Sequence, residues 1–81
     1  MNVRVQLFAI AKQLAARDAV ELTVPDGATL ADVRRLLAEA VPALAPVLPH
    51  VLFAVNSQYA EEAAVIPPSA SVACIPPVSG G

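Results

Sequence analysis

The sequence predicts a small α+β protein in which a mixed β-sheet carries one main helix on one face. Three patterns predict this: two strand-like stretches near the start, one amphipathic helix, and further strand-like stretches up to the end. The chain of 81 residues is long enough for one domain with a single core. Its 57% hydrophobic and 15% charged residues favour a folded chain over a disordered one.

The first two strands are predicted near the start of the chain. Residues 2–8 and residues 19–24 alternate between apolar and polar side chains, which is typical of a half-buried strand. A turn around residues 14–17 joins them, so we expect the two strands to pair as a hairpin. The Pro-Asp-Gly sequence at 25–27 then predicts a turn.

One amphipathic helix is predicted over residues 29–41. The hydroxyl of Thr29 caps its first turn, and Asp32 places a negative charge near the helix N-terminus. Pro42 ends the helix because it has no amide hydrogen to donate. Three charged side chains are predicted to point away from the core: Arg34, Arg35 and Glu39.

The second half of the chain adds further strands. Residues 51–56 and 71–75 are predicted strands, and residues 57–59 a tight reversal with a short strand after it. A short turn is expected over residues 43–48 and irregular structure over 61–68. This order of elements is that of the ubiquitin-like β-grasp fold, with the last strand lying centrally beside the first.

Strand parity predicts a second apolar surface, on the face of the sheet opposite the helix. Neighbouring residues of a strand point to opposite faces, so Arg4, Asn56 and Ser71 mark the solvent side. Five apolar residues share that side: Phe8, Leu52, Ala54, Ala73 and Ile75. Such patches often mark protein interfaces, whereas a covering loop or a shifted register would instead bury them.

The last six residues, Pro-Pro-Val-Ser-Gly-Gly, are the segment that the rest of the chain is predicted to present. The prolines at 76–77 stop the last strand, because each lacks an amide donor. The glycines at 80–81 have no Cβ and can enter a channel too narrow for side chains. We expect a folded domain over residues 1–76 and a flexible tail over 77–81 that reaches roughly 17 Å. The alternative is a frayed chain end without a role.

No catalytic arrangement of side chains can be assembled from the sequence. His50 is the single histidine and lacks the clustered ligands that a metal site needs. Cys74 has inward parity, and no neighbour in the sequence would lower its pKa. The terminal carboxylate remains, and it is a poor electrophile until another protein activates it, for example as a mixed anhydride with a nucleotide.

Charge and composition also limit the classes of partner and the compartment that we expect. A net charge of −2 gives no electrostatic case for binding nucleic acid or an anionic membrane. A single cysteine fits a reducing compartment, so we expect a cytoplasmic protein. The longest apolar stretch, residues 40–55, is too short and too interrupted by prolines to span a bilayer.

The ten residues 72–81, VACIPPVSGG, closely resemble the C-terminus of the MoaD-type small subunit of molybdopterin synthase, in the MoaD/ThiS sulfur-carrier family. Residues 7–9, 29–37 and 54–56 also resemble this family, so the resemblance covers essentially the whole chain. Where relatives commonly have Arg-Glu after the first strand, this chain has Lys12 and Gln13.

The resemblance implies a β-grasp sulfur carrier that binds no cofactor permanently. A partner enzyme would use ATP to adenylate the carboxylate of Gly81, and sulfur transfer would give a thiocarboxylate. The tail would then enter the large synthase subunit and donate sulfur to a pyranopterin within a heterotetramer. The resemblance assigns access to Gly80 and docking to the following residues: Phe8, Ile75, Pro76, Pro77 and Val78. Leu52, because of its strand parity, and Ser79 complete the predicted binding residues.

Three other functions remain open at the level of the sequence. The Gly-Gly ending is shared by thiazole sulfur carriers and by ubiquitin-like protein modifiers. A third possibility, from a different class, is a β-grasp interaction module whose tail has no chemical role. Retention of activity after loss of both glycines would favour this last function.

Overall fold

The computed structural model describes residues 1–77, and within them one sheet is packed against a main helix. The strands are β1 (Asn2–Leu7), β2 (Ala19–Thr23), β3 (Leu52–Val55), β4 (Gln58–Ala60) and β5 (Ser71–Ile75). The helices are α1 (Ala9–Ala15) and α2 (Leu30–Ala40), followed by single 3-10 turns at Pro42–Leu44 and Leu48–His50.

The last strand lies in the middle of the sheet, whose order is β2-β1-β5-β3-β4. β5 runs parallel to β1 and antiparallel to β3, which makes the sheet mixed. Val72 and Cys74 of β5 are fully buried in the core. The predicted fold class is confirmed, including the β-grasp order, the main helix and the central position of the last strand.

The helix α2 begins at a capping box, as the sequence predicted. The amide of Asp32 donates to the Thr29 hydroxyl oxygen at 3.3 Å, and the amide of Thr29 donates to the Asp32 carboxylate at 2.9 Å. This bond from the Thr29 backbone is the main reason why the pKa of Asp32 lies below its ordinary value. The capping box therefore stabilises the fold at pH values above the ordinary pKa of an aspartate. This stabilisation is lost as the pH falls through the lowered pKa of Asp32.

The connection between β1 and β2 contains the helix α1, where the sequence predicted only a turn around residues 14–17. Phe8 is the N-cap of this helix, and Ala16 closes it in the left-handed region with φ 57°. Ala11 is fully buried, so α1 contributes to the core. With seven residues the helix is too short for a clear apolar period, and only its helix-forming composition, AIAKQLA, indicated it.

The predicted outward orientation of Arg34 is wrong. Its guanidinium group packs at the edge of the core instead of pointing into solvent. It donates to the carbonyl oxygens of Leu48 and Val51, the latter at 3.1 Å, and to the Glu62 carboxylate at 3.1 and 3.2 Å. Its carbon Cζ also lies 4.9 Å from the centre of the Phe53 ring. The side chain, 23% exposed, thus joins α2 to β3 and to the loop before β5.

We predict that Arg34→Ala lowers the free energy of unfolding by about 2–3 kcal/mol, because it removes charged hydrogen bonds and leaves two carbonyls without this donor. Urea denaturation followed by circular dichroism measures the change. Arg35→Ala is the matched control: the Arg35 side chain is 61% exposed, its ion pairs within residues 1–77 are with Asp32 and Glu39, and its loss should cost less than about 1 kcal/mol. Equal losses in both variants would contradict a structural role specific to Arg34.

Candidate functional site

The candidate site is the end of the sheet at which β5 leaves it. Leu7 pairs with Cys74, so β1 and β5 end side by side, and α1 starts at the same end. Pro76 is buried and Pro77 is exposed, so the chain emerges into solvent at Pro77. The division into a domain over 1–76 and a tail over 77–81 stays a prediction.

Four of the predicted site residues lie outside the described residues: Val78, Ser79, Gly80 and Gly81. Of the others, Pro76 is buried within the body, and Pro77 is the last described position. The three remaining residues lie close to the end of β5: Phe8, Leu52 and Ile75.

An apolar surface lies on the face of the sheet opposite α2, and we call it the outer patch. Its members are Phe8, Leu52, Ala54, Tyr59, Ala73 and Ile75. Leu52 pairs with Ile75 across β3 and β5, and Ala54 lies between Ala73 and Tyr59. Large parts of three side chains face solvent, with exposed fractions of 44% for Phe8, 57% for Leu52 and 69% for Tyr59. The strand parity therefore predicted the orientation of this face correctly.

Two residues of the outer patch differ from the expectation. Ala54 points outward but is buried, because its short side chain lies between two neighbouring strands and outside the core cluster. Tyr59 is the most exposed member, and the sequence did not indicate it. The sequence placed a reversal at residues 57–59, so no parity could be assigned to Tyr59. The sequence signal for Tyr59 is its position two residues after the turn at Asn56 and Ser57. In the structure both turn residues have positive φ.

Cys74 has no features of a reactive thiol. It is fully buried near the end of β5, and this desolvation raises the pKa of its thiol to about 11, while the charge of Arg34 acts in the opposite direction. The inward parity predicted for Cys74 is the one observed. Cys74 is therefore a residue of the hydrophobic core.

A cavity of about 400 Å³ opens beside the start of α1, next to the outer patch. Lys12 and Phe8 both line it, and the ammonium group of Lys12 lies 3.0 Å from the Asp18 carboxylate. The lysine side chain is 58% exposed. The Lys12 ammonium group therefore lies at the same end of the sheet as the point at which the chain leaves β5.

Residues 1–77 contain neither a cluster of metal ligands nor a membrane-spanning helix. No group of three or more His, Cys, Asp and Glu side chains in this range is arranged to hold a metal ion. His50 is exposed at the end of a 3-10 turn. The same range contains no helix with the length and apolar character needed to cross a membrane.

The fold and the site together define a β-grasp protein whose C-terminal strand is central and ends beside an exposed apolar patch. The profile of the ThiS family matches residues 5–81, and the chain belongs to this family. Because the match runs to the last residue, it includes the Gly-Gly ending as well as the folded body.

Its similarity to individual proteins extends over the full chain. It is 32% identical to the molybdopterin synthase sulfur carrier subunit of Arabidopsis thaliana, over 100% of this chain and 84% of that protein. Among solved structures, SAMP1 (small archaeal modifier protein 1) from Haloferax volcanii is 28% identical with a TM-score of 0.88, each chain being covered completely. The putative molybdopterin converting factor subunit 1 from Pyrococcus furiosus is 26% identical with a TM-score of 0.84, over 96% of this chain and 99% of that one.

We predict that Cys74 of the folded protein resists alkylation by iodoacetamide at pH 8. With a pKa near 11 instead of 9.0, about 100-fold less thiolate is present at this pH, and burial hinders access further. The measurement is intact-mass spectrometry over time, with the same reaction in urea as the positive control. Alkylation at similar rates in both samples would show that the thiol is accessible in the native state.

Proposed function

We propose that this protein is a sulfur carrier for the synthesis of molybdopterin, with the sulfur held at the carboxyl group of Gly81. The observation that carries this proposal is the full-length similarity to the Arabidopsis thaliana sulfur carrier subunit, which spans body and tail. The family match over residues 5–81 supports the same function.

The proposed chemistry follows from the terminal carboxylate. An oxygen of the Gly81 carboxylate attacks the α-phosphorus of ATP on a partner enzyme, diphosphate leaves, and an acyl adenylate forms. A sulfur nucleophile then displaces AMP to give the thiocarboxylate. Glycine suits this position because no Cβ shields the carbonyl carbon. The protein itself needs no bound cofactor for these steps, since ATP belongs to the partner.

The outer patch is the proposed docking surface for the large subunit of molybdopterin synthase and for the adenylating enzyme. Leu52 and Ile75 form its centre, directly beside the point at which the chain leaves the sheet. A partner that covers these side chains would receive the residues after Ile75 in its own active site. Apolar and aromatic residues with this exposure are typical of interface centres. We expect a heterotetramer of two small and two large subunits.

A second candidate function is attachment to other proteins as a modifier. The similarity to SAMP1 from Haloferax volcanii favours it, since the name of that protein is small archaeal modifier protein 1 and its fold superposes with a TM-score of 0.88. Both functions use an activated Gly81, and the acceptor distinguishes them. Isopeptide-linked adducts on the lysines of other proteins would favour the modifier, and a thiocarboxylate consumed during molybdopterin synthesis favours the carrier.

We predict that intact mass will show the exchange of one oxygen for sulfur when the protein is incubated with its adenylating enzyme, ATP and a sulfur donor. Deletion of Gly81 should abolish this change, because the remaining carboxylate is one residue too short for the partner's active site. The circular dichroism melting curve should not change, since the predicted folded domain ends at residue 76. Molybdopterin formation by the deletion variant would contradict the proposed function.

A second prediction concerns docking: Leu52→Asp should weaken binding to the large subunit at least about 10-fold, because it places a charge in the centre of an apolar interface. Isothermal titration calorimetry measures the Kd. Val65→Asp is the matched control, since Val65 is 59% exposed but lies in the loop beside the start of α2, away from the outer patch. Equal binding by both variants would exclude the outer patch as the docking surface.

A further inference from the structure

The hairpin formed by β3 and β4 carries the two most exposed members of the outer patch. Leu52, at the start of the hairpin, is 57% exposed, and Tyr59, near its end, is 69% exposed. The strand β4 has three residues, pairs with β3 and lies at the edge of the sheet. A short edge strand opens more readily than a central one, so the position of Tyr59 depends on contacts that hold the hairpin in place.

The side chain of Arg34 binds the chain on both sides of this hairpin. Before the hairpin, its guanidinium group donates to the carbonyl oxygens of Leu48 and Val51, the latter at 3.1 Å. After the hairpin, its Nε donates to the two carboxylate oxygens of Glu62 at 3.1 and 3.2 Å. Between these contacts, its Cζ lies 4.9 Å from the centre of the buried Phe53 ring of β3. Arg34 therefore joins the two ends of the hairpin from the inner side of the sheet.

Glu62 is fixed to α2 by its backbone as well as by its side chain. Its carbonyl oxygen accepts a hydrogen bond from the amide of Ala31 at 3.0 Å, about one helical turn before Arg34. The Arg34 side chain is 23% exposed and that of Glu62 is 54% exposed, so water screens their ion pair less than it screens a fully exposed one. The helix α2 is thus the rigid support to which both ends of the hairpin are attached.

We propose that Arg34 and Glu62 form a clamp that holds the hairpin β3–β4 in the conformation to which the large subunit binds. This inference rests on the proposed function, which places that subunit on the outer patch. Arg34 is a positioning residue, because it lies on the inner side of the sheet and acts on Leu52 and Tyr59 through the backbone at the ends of the hairpin. A partner that meets a preformed surface loses no binding free energy in ordering it.

Loss of the clamp should weaken binding although every side chain of the outer patch is still present. When the hairpin occupies its binding conformation for only part of the time, the apparent Kd rises by the inverse of that fraction. Glu62→Ala removes one contact of the clamp and should raise the Kd about 3- to 5-fold. Arg34→Ala removes all of them and should raise it at least about 10-fold.

The first experiment compares Glu62→Ala with Glu61→Ala in the full chain. Both variants remove a carboxylate from adjacent exposed positions, so the net charge changes equally, but the bonds to Arg34 are lost in the first variant. Isothermal titration calorimetry measures the Kd for the large subunit, and hydrogen–deuterium exchange of the free protein measures the opening of residues 52–60. Glu62→Ala should raise the Kd and speed this exchange about 5-fold, whereas Glu61→Ala should leave both unchanged.

A second experiment separates the clamp from a general loss of stability. Val33→Ala is the control for Arg34→Ala, because Val33 is the preceding residue of α2, fully buried in the core, and makes a cavity when it is truncated. At a temperature at which circular dichroism shows both variants to be folded, Val33→Ala should keep the Kd of the unaltered chain. Equal Kd values for the two variants would show that Arg34 acts through global stability alone and would overturn the inference.

The remaining outcomes also decide between the two proposals. Equal exchange or equal Kd values in Glu62→Ala and Glu61→Ala would overturn the clamp while leaving the proposed function intact, provided that the unaltered chain binds the large subunit. Failure of the unaltered chain to bind that subunit would instead refute the proposed docking, and this inference with it.

Discussion

The parallel pairing of β1 with β5 is the constraint on which the rest of the structure depends. It places the last strand between β1 and β3, where Val72 and Cys74 are fully buried. A strand held on both sides cannot shift its register without exposing these side chains to solvent. The point at which the chain leaves the sheet, at Pro76, is therefore fixed by the most buried part of the sheet.

The two faces of the sheet have different roles as a consequence. The inner face packs against α2, and Arg34 joins that helix to β3 and to the loop before β5 through charged hydrogen bonds and the Phe53 ring. The outer face has no helix over the residues described, and Leu52 and Tyr59 remain largely exposed. The contacts that stabilise the fold are thus concentrated on the inner face. A partner could therefore bind the outer face with little effect on the stability of the folded body.

Much of the fold could be predicted because its signals are local. The capping box at Thr29 and Asp32, the alternation in β1 and β2, and the proline after α2 each depend on residues close in sequence. The outer patch followed from the same alternation, with its orientation fixed by a few polar residues.

The remaining features depend on contacts that the sequence does not display. Arg34 reads as a solvent-facing residue of an amphipathic helix, and only the tertiary structure brings the carbonyls of Leu48 and Val51 within its reach. The helix α1 is too short for a periodic signal, and its stability depends on burying Ala11 in the core. Tyr59 lies on a three-residue strand, which is too short for alternation to assign its face.

The central position of β5 has a consequence for biosynthesis. During synthesis, β1 and β3 leave the ribosome before β5, so neither strand has its central neighbour to pair with until β5 follows. Pairing between residues at opposite ends of a chain is slow because the whole intervening loop must close first. The sheet should therefore stay incomplete until β5 has been synthesised, and this incomplete sheet would be a natural target for chaperones on the nascent chain.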